Sequence, residues 1–457
     1  MDRTWKARGE SMKRNRSFYR DVAQLAVPVA LQSMLQSSFG IVDQVMIGQL
    51  GSVSIAGVGL AGKFSSIFSV VISAIGAVAG IMISQYLGQK NIGAVRRSFF
   101  CNLAIGAVIA AGFTALCALW PQAVMRLYSN DPATVEAAAE YLSVIAWTFL
   151  PLAGATLLST LFRCADRPRL PLYASIVSAL LNTVLNYLLI FGKAGLPQLG
   201  ARGAAIATLL SQLANALLML GMLPRAAPLP RRDAQAQHAP FLWRQYLTIL
   251  LPILTCEALW SVGENVYAAI YGHMSTDSTA AMTLINPVQG LMIGALCGLS
   301  QAAGVIVGKR LGAREFDEAY RVSKKLLLCG ALCALVLAVA VVALSGVYVK
   351  IYQVDGTVRQ LTRQILFAYA LISPFKVLNM ILGGGILRSG GKTWYVMAID
   401  IIGTWVFGVP LGLLSAFVWK LPIASVYFLL SLEEVVRFAL SVFVFRRRRW
   451  MQQLQAE

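Results

Sequence analysis

The chain has 457 residues, of which 58% are hydrophobic and only 13% charged, and its mean hydropathy is +0.68. Because a soluble domain carries about 25% charged residues, this composition excludes an ordinary soluble protein and indicates a polytopic membrane protein. The net charge of +19 does not indicate nucleic-acid binding, since the Lys and Arg residues are dispersed among short loops between apolar stretches. We therefore expect no nucleic-acid partner.

The cysteines and histidines give no sign of a metal centre. Seven cysteines lie in or beside apolar stretches without CxxC spacing, and there are two histidines. We interpret the cysteines as small apolar side chains. The sequence predicts no cofactor, no metal built on these residues and no enzymatic activity.

Twelve apolar stretches long enough to cross a bilayer follow one another along the chain. They cover approximately 22–46, 55–86, 98–120, 134–163, 170–192, 202–224, 246–272, 279–309, 325–345, 357–388, 393–416 and 422–446. We predict an all-α polytopic membrane protein with twelve transmembrane helices. Alternate loops collect most of the Lys and Arg residues, which places both termini in the cytoplasm. The first span follows a basic segment without a cleavage pattern, so we interpret it as retained.

The second half of the sequence repeats the first. A shift of 224 residues superposes Pro28 on Pro252 and Gly88 on Gly312. Further matches at this shift or one residue off it are Gly48 with Gly272, Pro151 with Pro374 and Arg163 with Arg388. Since each copy contains six spans, an even number, both enter the membrane from the same side. The sequence therefore predicts two parallel-repeat six-helix lobes, with substrate sites between or within them.

The repeat divides the chain into five predicted segments. They are a cytoplasmic N-terminal segment (1–21), an N-terminal six-helix lobe (22–224), a cytoplasmic linker (225–245), a C-terminal six-helix lobe (246–446) and a cytoplasmic tail (447–457). The linker is polar and rich in proline, which is typical of a connection between domains.

Asp43 lies near the far end of the first span, within the segment PVALQSMLQSSFGIVDQVMIGQLG. A carboxylate at bilayer depth costs about 2.5–3.5 kcal/mol, so such a residue is normally functional and faces a cavity or a partner. The alternative is that Asp43 is an interfacial anchor at the level of the lipid headgroups.

The second half carries more ionisable residues at membrane depth. Glu257 and Glu264 are seven residues apart, so both point to one face of span 7, with Trp260 and Tyr267 nearby. Two carboxylates on one helix face are hard to explain by packing, and we predict that this face contacts a cation or substrate.

Span 10 contributes Lys376 and span 11 contributes Asp400 as further candidates. Asp400 has an alternative interpretation, in which it reaches Lys392 or the membrane interface. Glu433 and Arg437 in span 12 are four residues apart, and we interpret them as an intrahelical pair that neutralises itself.

Several segments, in this order, resemble the MATE (multidrug and toxic compound extrusion) family. They are IVDQVMIGQLGSVSIAGVGL, ISQYLGQKNIGAVRRS, LPILTCEALWSVGENVYAAIYG, LRSGGKT and LPIASVYFLLSLEEVVRFAL. The resemblance covers essentially all of residues 20–450. It implies two six-helix lobes that export cationic or amphiphilic drugs in exchange for H⁺ or Na⁺.

The resemblance also implies a site in the first lobe. In the family this site uses an aspartate of span 1, two polar positions four apart in span 5 and a threonine in span 6, which correspond here to Asp43, Asn182, Asn186 and Thr208. Asn186 departs from members that carry a second aspartate there. One carboxylate is sufficient for a proton, whereas Na⁺ needs more negative charge, so we predict H⁺ as the coupling ion. Na⁺ at Asp43 or at Glu257 is the alternative.

Together these features predict a secondary active multidrug antiporter that works by alternating access. We expect small drug-like cations as substrates, the lipid bilayer as surroundings, a monomer, and the bacterial cytoplasmic (plasma) membrane, that is, the cell inner membrane. The alternative is a flippase for lipid-linked oligosaccharide or peptidoglycan precursors, which needs a cationic cavity; Lys63 and Lys376 are the only mid-span lysines. A receptor or channel would not need a duplicated six-helix unit.

Overall fold

A computed structural model describes residues 2–226, 241–350 and 355–455, and their regular secondary structure is helical. The helices of the first half are α1 (Asp2–Ile47), α2 (Ser52–Gly88), α3 (Ile92–Leu119), α4 (Pro121–Arg126), α5 (Pro132–Ile145), α6 (Phe149–Cys164), α7 (Arg169–Phe191) and α8 (Gly200–Ala226). Those of the second half are α9 (Trp243–Met274), α10 (Thr276–Gly312), α11 (Phe316–Lys350), α12 (Gly356–Asn379), α13 (Trp394–Ile401), α14 (Val409–Leu413), α15 (Ile423–Ser431) and α16 (Glu433–Arg446). π-helical segments follow α12, α13 and α14, at Met380–Leu387, Ile402–Gly408 and Leu414–Val418 respectively.

The predicted transmembrane architecture is confirmed, with a difference in the last span. Within the described residues, 11 helical stretches are long and apolar enough to cross a membrane. The predicted span 422–446 is present as two shorter helices, α15 and α16, that meet at Leu432. Helix α16 begins with Glu433 and Glu434, so this span is neither continuous nor uniformly apolar.

The sequence repeat is also visible in the backbone. Helices α2 and α10 end 224 residues apart, and α3 and α11 begin at the same separation. In the loops that follow α2 and α10, Lys90 and Arg314 occupy equivalent positions and have φ values of 59° and 61°. Left-handed backbone is uncommon for residues other than glycine, so its recurrence at equivalent positions identifies the same turn in both copies.

The described residues form two compact units. One comprises residues 32–250, and the other comprises residues 251–454 together with the first part of α1, up to Leu31. Residues 227–240 of the predicted linker lie outside the described residues, so its boundaries stay a prediction.

The first unit is built around α2, which packs against α3, α5 and α6. The buried ring of Phe68 lies at its centre, 4.5 Å from the ring of Phe149 and 5.4 Å from that of Phe113. Helix α7 pairs with α8, and Gly203 permits the approach, since a Cβ there would lie 2.7 Å from the carbonyl oxygen of Leu189. This pairing fixes the position of the polar side chains on α7 and α8.

The second unit is built around α10 and α12. Ser300 Oγ on α10 donates to the carbonyl oxygen of Met380, the first residue of the π-helical segment after α12. A Cβ on Gly385 would lie 2.5 Å from the carbonyl oxygen of Ser300, so only glycine allows this contact. π-Helical turns leave backbone groups shifted and are frequent at functional sites.

The segment after α16 folds back onto the second unit. Trp450 is fully buried, and its ring stacks on Phe445 with 5.8 Å between centroids. Lys392 Nζ donates to the carbonyl oxygen of Arg449 at 3.0 Å, and Gln453 Nε2 donates to that of Gly312 at 2.7 Å. The tail therefore covers the loops between α10 and α11 and between α12 and α13.

Candidate ion and substrate sites

The first unit gathers four predicted polar residues from three helices. Asp43 lies in the last turns of α1, Asn182 and Asn186 are one turn apart on α7, and Thr208 lies on α8. A further bond joins α1 to α7, from Gln32 Nε2 to Ser175 Oγ at 2.9 Å. The contacts therefore place the carboxylate of α1 against the α7–α8 pair.

A continuous row of hydrogen bonds connects these side chains. Asn186 Nδ2 donates to Asp43 Oδ1 at 2.6 Å and to Asn182 Oδ1 at 3.1 Å. Asn182 Nδ2 donates to Thr208 Oγ1 at 3.4 Å, and the Thr208 hydroxyl donates to the carbonyl oxygen of Ala204 at 3.0 Å. Asp43 is the single charged group in this row, and every other member is a neutral dipole.

Asn186 has one atom without a hydrogen bond. Its side chain is buried, with 1% exposed, and its Oδ1 atom has no partner among the described residues. The buried phenol of Tyr141 on α5 lies within electrostatic range of Asp43. The sequence analysis missed Tyr141, because nothing in the local pattern of α5 distinguishes it from a packing residue.

The second unit contains a cavity of about 350 Å³ that we call the Glu257 chamber. Arg388 Nη1 donates to Glu257 Oε1 at 3.1 Å, so the predicted carboxylate has a direct ionic partner. Asp400 Oδ1 lies 3.8 Å from Arg437 Nε, and Arg437 also donates to Thr404 Oγ1. The direct ion pair of Arg437 is across helices with Asp400, while its predicted intrahelical partner Glu433 lies within electrostatic range of it.

A second cavity of about 280 Å³ adjoins the first, and we call it the Glu264 chamber. Its wall includes Glu264, Tyr267 and Glu433, and the Tyr267 hydroxyl donates to Glu433 Oε2. The two chambers share four wall residues, namely Tyr369, Ser373, Lys376 and Glu434. Glu434 Oε2 accepts from Asn379 Nδ2 at 2.8 Å.

The break in the last span explains why Glu433 and Glu434 can lie in the wall of the Glu264 chamber. Glu433 and Glu434 form the first turn of α16, where the helix dipole favours negative charge. Gly408, at the end of a π-helical segment, gives Glu433 and Tyr267 the room to meet, since a Cβ there would collide with both. The sequence pattern showed the acidic residues but not the helix start that supports them.

The structure distributes the predicted second-lobe residues between the two chambers. Glu257, Trp260 and Asp400 line the first, Glu264 and Tyr267 line the second, and Lys376 lines both. Glu257 and Glu264 therefore lie on one helix but do not face one common cavity. Lys392, the alternative partner of Asp400, instead bonds the carbonyl oxygen of Arg449.

Comparisons with known proteins agree with this architecture. The MatE family profile matches residues 28–188 and 252–414, and the two matches begin at the positions that the 224-residue shift superposes. Proteins described as probable multidrug resistance protein NorM are 24% identical in Thermotoga maritima, over 94% of this chain and 93% of that protein, and 26% identical in Bradyrhizobium diazoefficiens, over 93% and 92%.

Solved structures show the same fold at low sequence identity. The bent form of the Vibrio cholerae MATE transporter VcmN has a TM-score of 0.83 at 16% identity, covering 95% of this chain and 97% of that chain. A structure of MATE in complex with MaL6 gives 0.85 at 15%, covering 94% and 95%. The fold and sites thus define a two-lobe, multi-pass membrane transporter. The chain belongs to the MatE family.

Proposed function

We propose that the protein is a secondary active antiporter that exports cationic or amphiphilic drug-like compounds in exchange for H⁺. The drug export rests on its relatives, which are described as multidrug resistance proteins. The exchange for H⁺ rests on one observation, the hydrogen bond from Asn186 to the single carboxylate of Asp43. In this proposal the protein is a monomer of the bacterial cytoplasmic membrane with both termini in the cytoplasm.

The Asp43 network suits a proton better than Na⁺. Hard cations require several oxygen ligands and enough negative charge to offset dehydration, and this network supplies one carboxylate with neutral amide and hydroxyl oxygens. A proton needs only the carboxylate. The unbonded Oδ1 of Asn186 then offers an acceptor for the new O–H group, provided that the amide rotates to present it.

Proton loading would change which hydrogen bonds hold α1 against α7. With Asp43 ionised, the amide N–H of Asn186 donates to it, and with Asp43 neutral, the carboxyl donates to the amide oxygen. The strong bond to a charged acceptor is lost in this exchange. A difference of this kind biases two conformations of a transporter differently, which is the condition for coupling ion and substrate.

The flippase alternative fits less well. A site for a lipid pyrophosphate needs excess positive charge, whereas the two chambers of the second unit are lined by five carboxylates and three basic groups. They are Glu257, Glu264, Asp400, Glu433 and Glu434 against Lys376, Arg388 and Arg437.

Efflux from proteoliposomes tests the proposal. Purified protein is reconstituted with a fluorescent cationic dye, and either a pH gradient or a Na⁺ gradient is imposed, the latter at matched pH with an uncoupler. We expect dye movement against its gradient with the pH gradient alone. Uphill movement with the Na⁺ gradient alone would contradict the proton assignment, and no movement under either gradient would contradict drug antiport.

A further inference from the structure

Two oppositely charged side chains of the Glu264 chamber, Lys376 and Glu264, make no direct polar contact in the described part of the chain. Among the residues that the structure describes, neither the Lys376 ammonium nor the Glu264 carboxylate forms an ion pair or hydrogen bond, with each other or with another group. Both nevertheless lie within electrostatic range of each other and line the same cavity, and Lys376 also lies within electrostatic range of Glu434 and Glu433. A charged side chain without a direct contact in a membrane-embedded lobe is costly and usually has a functional partner.

The neighbouring charges already have partners. Glu433 accepts from Tyr267, Glu434 accepts from Asn379, and Arg388 binds Glu257. Lys376 and Glu264 are therefore the two charged groups of the chambers that make no direct contact among the described residues. A ligand that satisfies both must present a negative group to Lys376 and a positive group to Glu264.

The size and lining of the chamber limit the ligand further. Its volume of about 280 Å³ lies just below the range of about 300–1,000 Å³ that is usual for drug-sized ligands. Four tyrosines and several amide and hydroxyl groups form the wall. These are Tyr267, Tyr271, Tyr369 and Tyr427, with Thr279, Thr283, Asn286 and Gln289. Such a wall suits a small molecule with an aromatic ring.

We propose that the Glu264 chamber is a binding site for a small zwitterion of the amino-acid class, with its carboxylate on Lys376 and its ammonium on Glu264. This ligand class differs from the cationic or amphiphilic compounds of the proposed drug export. The site lies within the second unit and does not involve the Asp43 network. It gives the transporter a second kind of ligand.

Three matched probes test the charge requirement. L-Phenylalanine carries both charges, phenethylamine lacks the carboxylate and 3-phenylpropanoate lacks the ammonium, while the ring and chain are the same. Isothermal titration of the purified protein should show phenylalanine binding at least about tenfold more tightly than either single-charge probe, a difference of about 1.4 kcal/mol.

Variants should separate the two contacts. Lys376→Met should abolish the preference for phenylalanine over phenethylamine, and Glu264→Gln should abolish the preference over 3-phenylpropanoate. Lys376→Arg keeps the positive charge and should retain the preference for phenylalanine over phenethylamine. This variant replaces Lys376→Met as the test if the methionine variant is unstable in a thermal melt. Lys63→Met, the same change at the mid-span lysine of the first unit, should alter neither preference.

Several results would overturn this proposal. They are no measurable binding of any probe, binding of phenethylamine or 3-phenylpropanoate as tight as that of phenylalanine, or preferences that survive both Lys376→Met and Glu264→Gln. Dye efflux measured on the same preparations reports separately on drug antiport. In the wild-type protein, efflux without zwitterion binding contradicts this inference alone, and zwitterion binding without efflux contradicts the proposed function alone.

Discussion

The two lobes share a backbone arrangement but differ in the number of their charged groups and in the groups that contact them. In the first, one carboxylate, Asp43, lies among neutral amide and hydroxyl dipoles. In the second, eight charged groups line two adjoining chambers, and four of them form the ion pairs Glu257–Arg388 and Asp400–Arg437. The 224-residue shift places Tyr267 at the position of Asp43, so the equivalent point of the second lobe carries a phenol that binds Glu433. Duplication has kept the helices and changed the electrostatics.

This difference in charge environment predicts which groups can change their protonation state. A charge that neutral dipoles hold can be gained or lost without breaking an ion pair, since the dipoles reorient. A paired charge cannot, because removing one partner leaves the other uncompensated. The first network is therefore suited to a changing protonation state, and the ion pairs of the second are suited to holding helices in register.

The largest expected effect is at Asp43. Asp43→Asn keeps the size of the side chain but removes the charge and the capacity to carry a proton, so gradient-driven dye efflux should fall to the background of empty liposomes. Thermal melting and size-exclusion chromatography of the purified variant should show an intact protein. Efflux at the wild-type rate would identify Asp43 as an interfacial anchor and remove the contrast between the lobes.

Breaking the direct ion pair between Glu257 and Arg388 in the second lobe should instead lower the stability of the protein. Arg388→Met leaves the Glu257 carboxylate without its partner at 3.1 Å, and loss of one member of a buried pair costs about 3–5 kcal/mol. Because 28% of the Glu257 side chain is exposed, we expect a value near the lower end, measured by denaturation of the purified protein. The double variant Glu257→Gln with Arg388→Met should recover most of the loss. Equal destabilisation of single and double variants would show that packing, not charge, is responsible.

A second carboxylate in the Asp43 network should make the first lobe resemble the second, where several carboxylates lie close together. Asn186→Asp places a second carboxylate beside Asp43, where like charges favour a bound cation. We expect Na⁺ to bind about tenfold more tightly than to wild type, a change of about 1.4 kcal/mol, and Na⁺-driven dye efflux to appear. Asn186→Ala, which removes the amide without adding charge, is the control and should not acquire Na⁺ dependence. A Na⁺ response as weak in Asn186→Asp as in that control would contradict the charge argument.

The smallest expected effect compares two helix caps related by the same shift. Asp131 caps α5 through Oδ2, which accepts from the Thr134 hydroxyl and from the Thr134 backbone N–H at 3.0 Å, whereas Asp355 makes no such bond at the start of α12. Asp131→Ala should therefore lower the melting temperature slightly at pH 7, and Asp355→Ala should leave it unchanged. Equal effects of both changes would contradict the assignment of the cap.

The same cap has a defined pH dependence. The hydrogen bonds from the Thr134 side chain and backbone hold the pKa of Asp131 below its ordinary value of 3.8. A depressed folded-state pKa stabilises the fold above the unfolded value and loses this effect as the pH falls through the folded value. The difference between wild type and Asp131→Ala should thus shrink only in strong acid, as thermal melts at several pH values would reveal.

The sequence was sufficient to predict the spans and the repeat. The length of an apolar stretch and the recurrence of glycine and proline after 224 residues can both be read directly from the sequence. It also named Asp43, Asn182, Asn186 and Thr208, which the structure brings together, although it did so through family resemblance. No spacing rule relates a residue of α1 to residues of α7 and α8. Contacts between helices depend on how they pack.

The ion pairs of the second lobe also depend on helix packing and could not be predicted from spacing in the sequence. Glu433 and Arg437 are neighbours on one helix, so the sequence favoured an internal pair. The π-helical segment Ile402–Gly408 instead brings Thr404 to Arg437, and Asp400 on the preceding turn completes the ion pair. Arg388 was visible only as a repeat position and as part of LRSGGKT, and its contact with Glu257 joins residues that are 131 positions apart in the chain.

The folded-back tail has a consequence for the order in which the protein is made. Trp450, Arg449 and Gln453 complete hydrogen bonds and packing for loops that precede them by dozens of residues. A nascent chain therefore inserts its helices while these loops are still uncovered. The second lobe reaches its final packing only once residues after Arg446 have left the ribosome. Deleting the chain from Arg449 onward would remove these three contacts without removing any residue of the membrane spans.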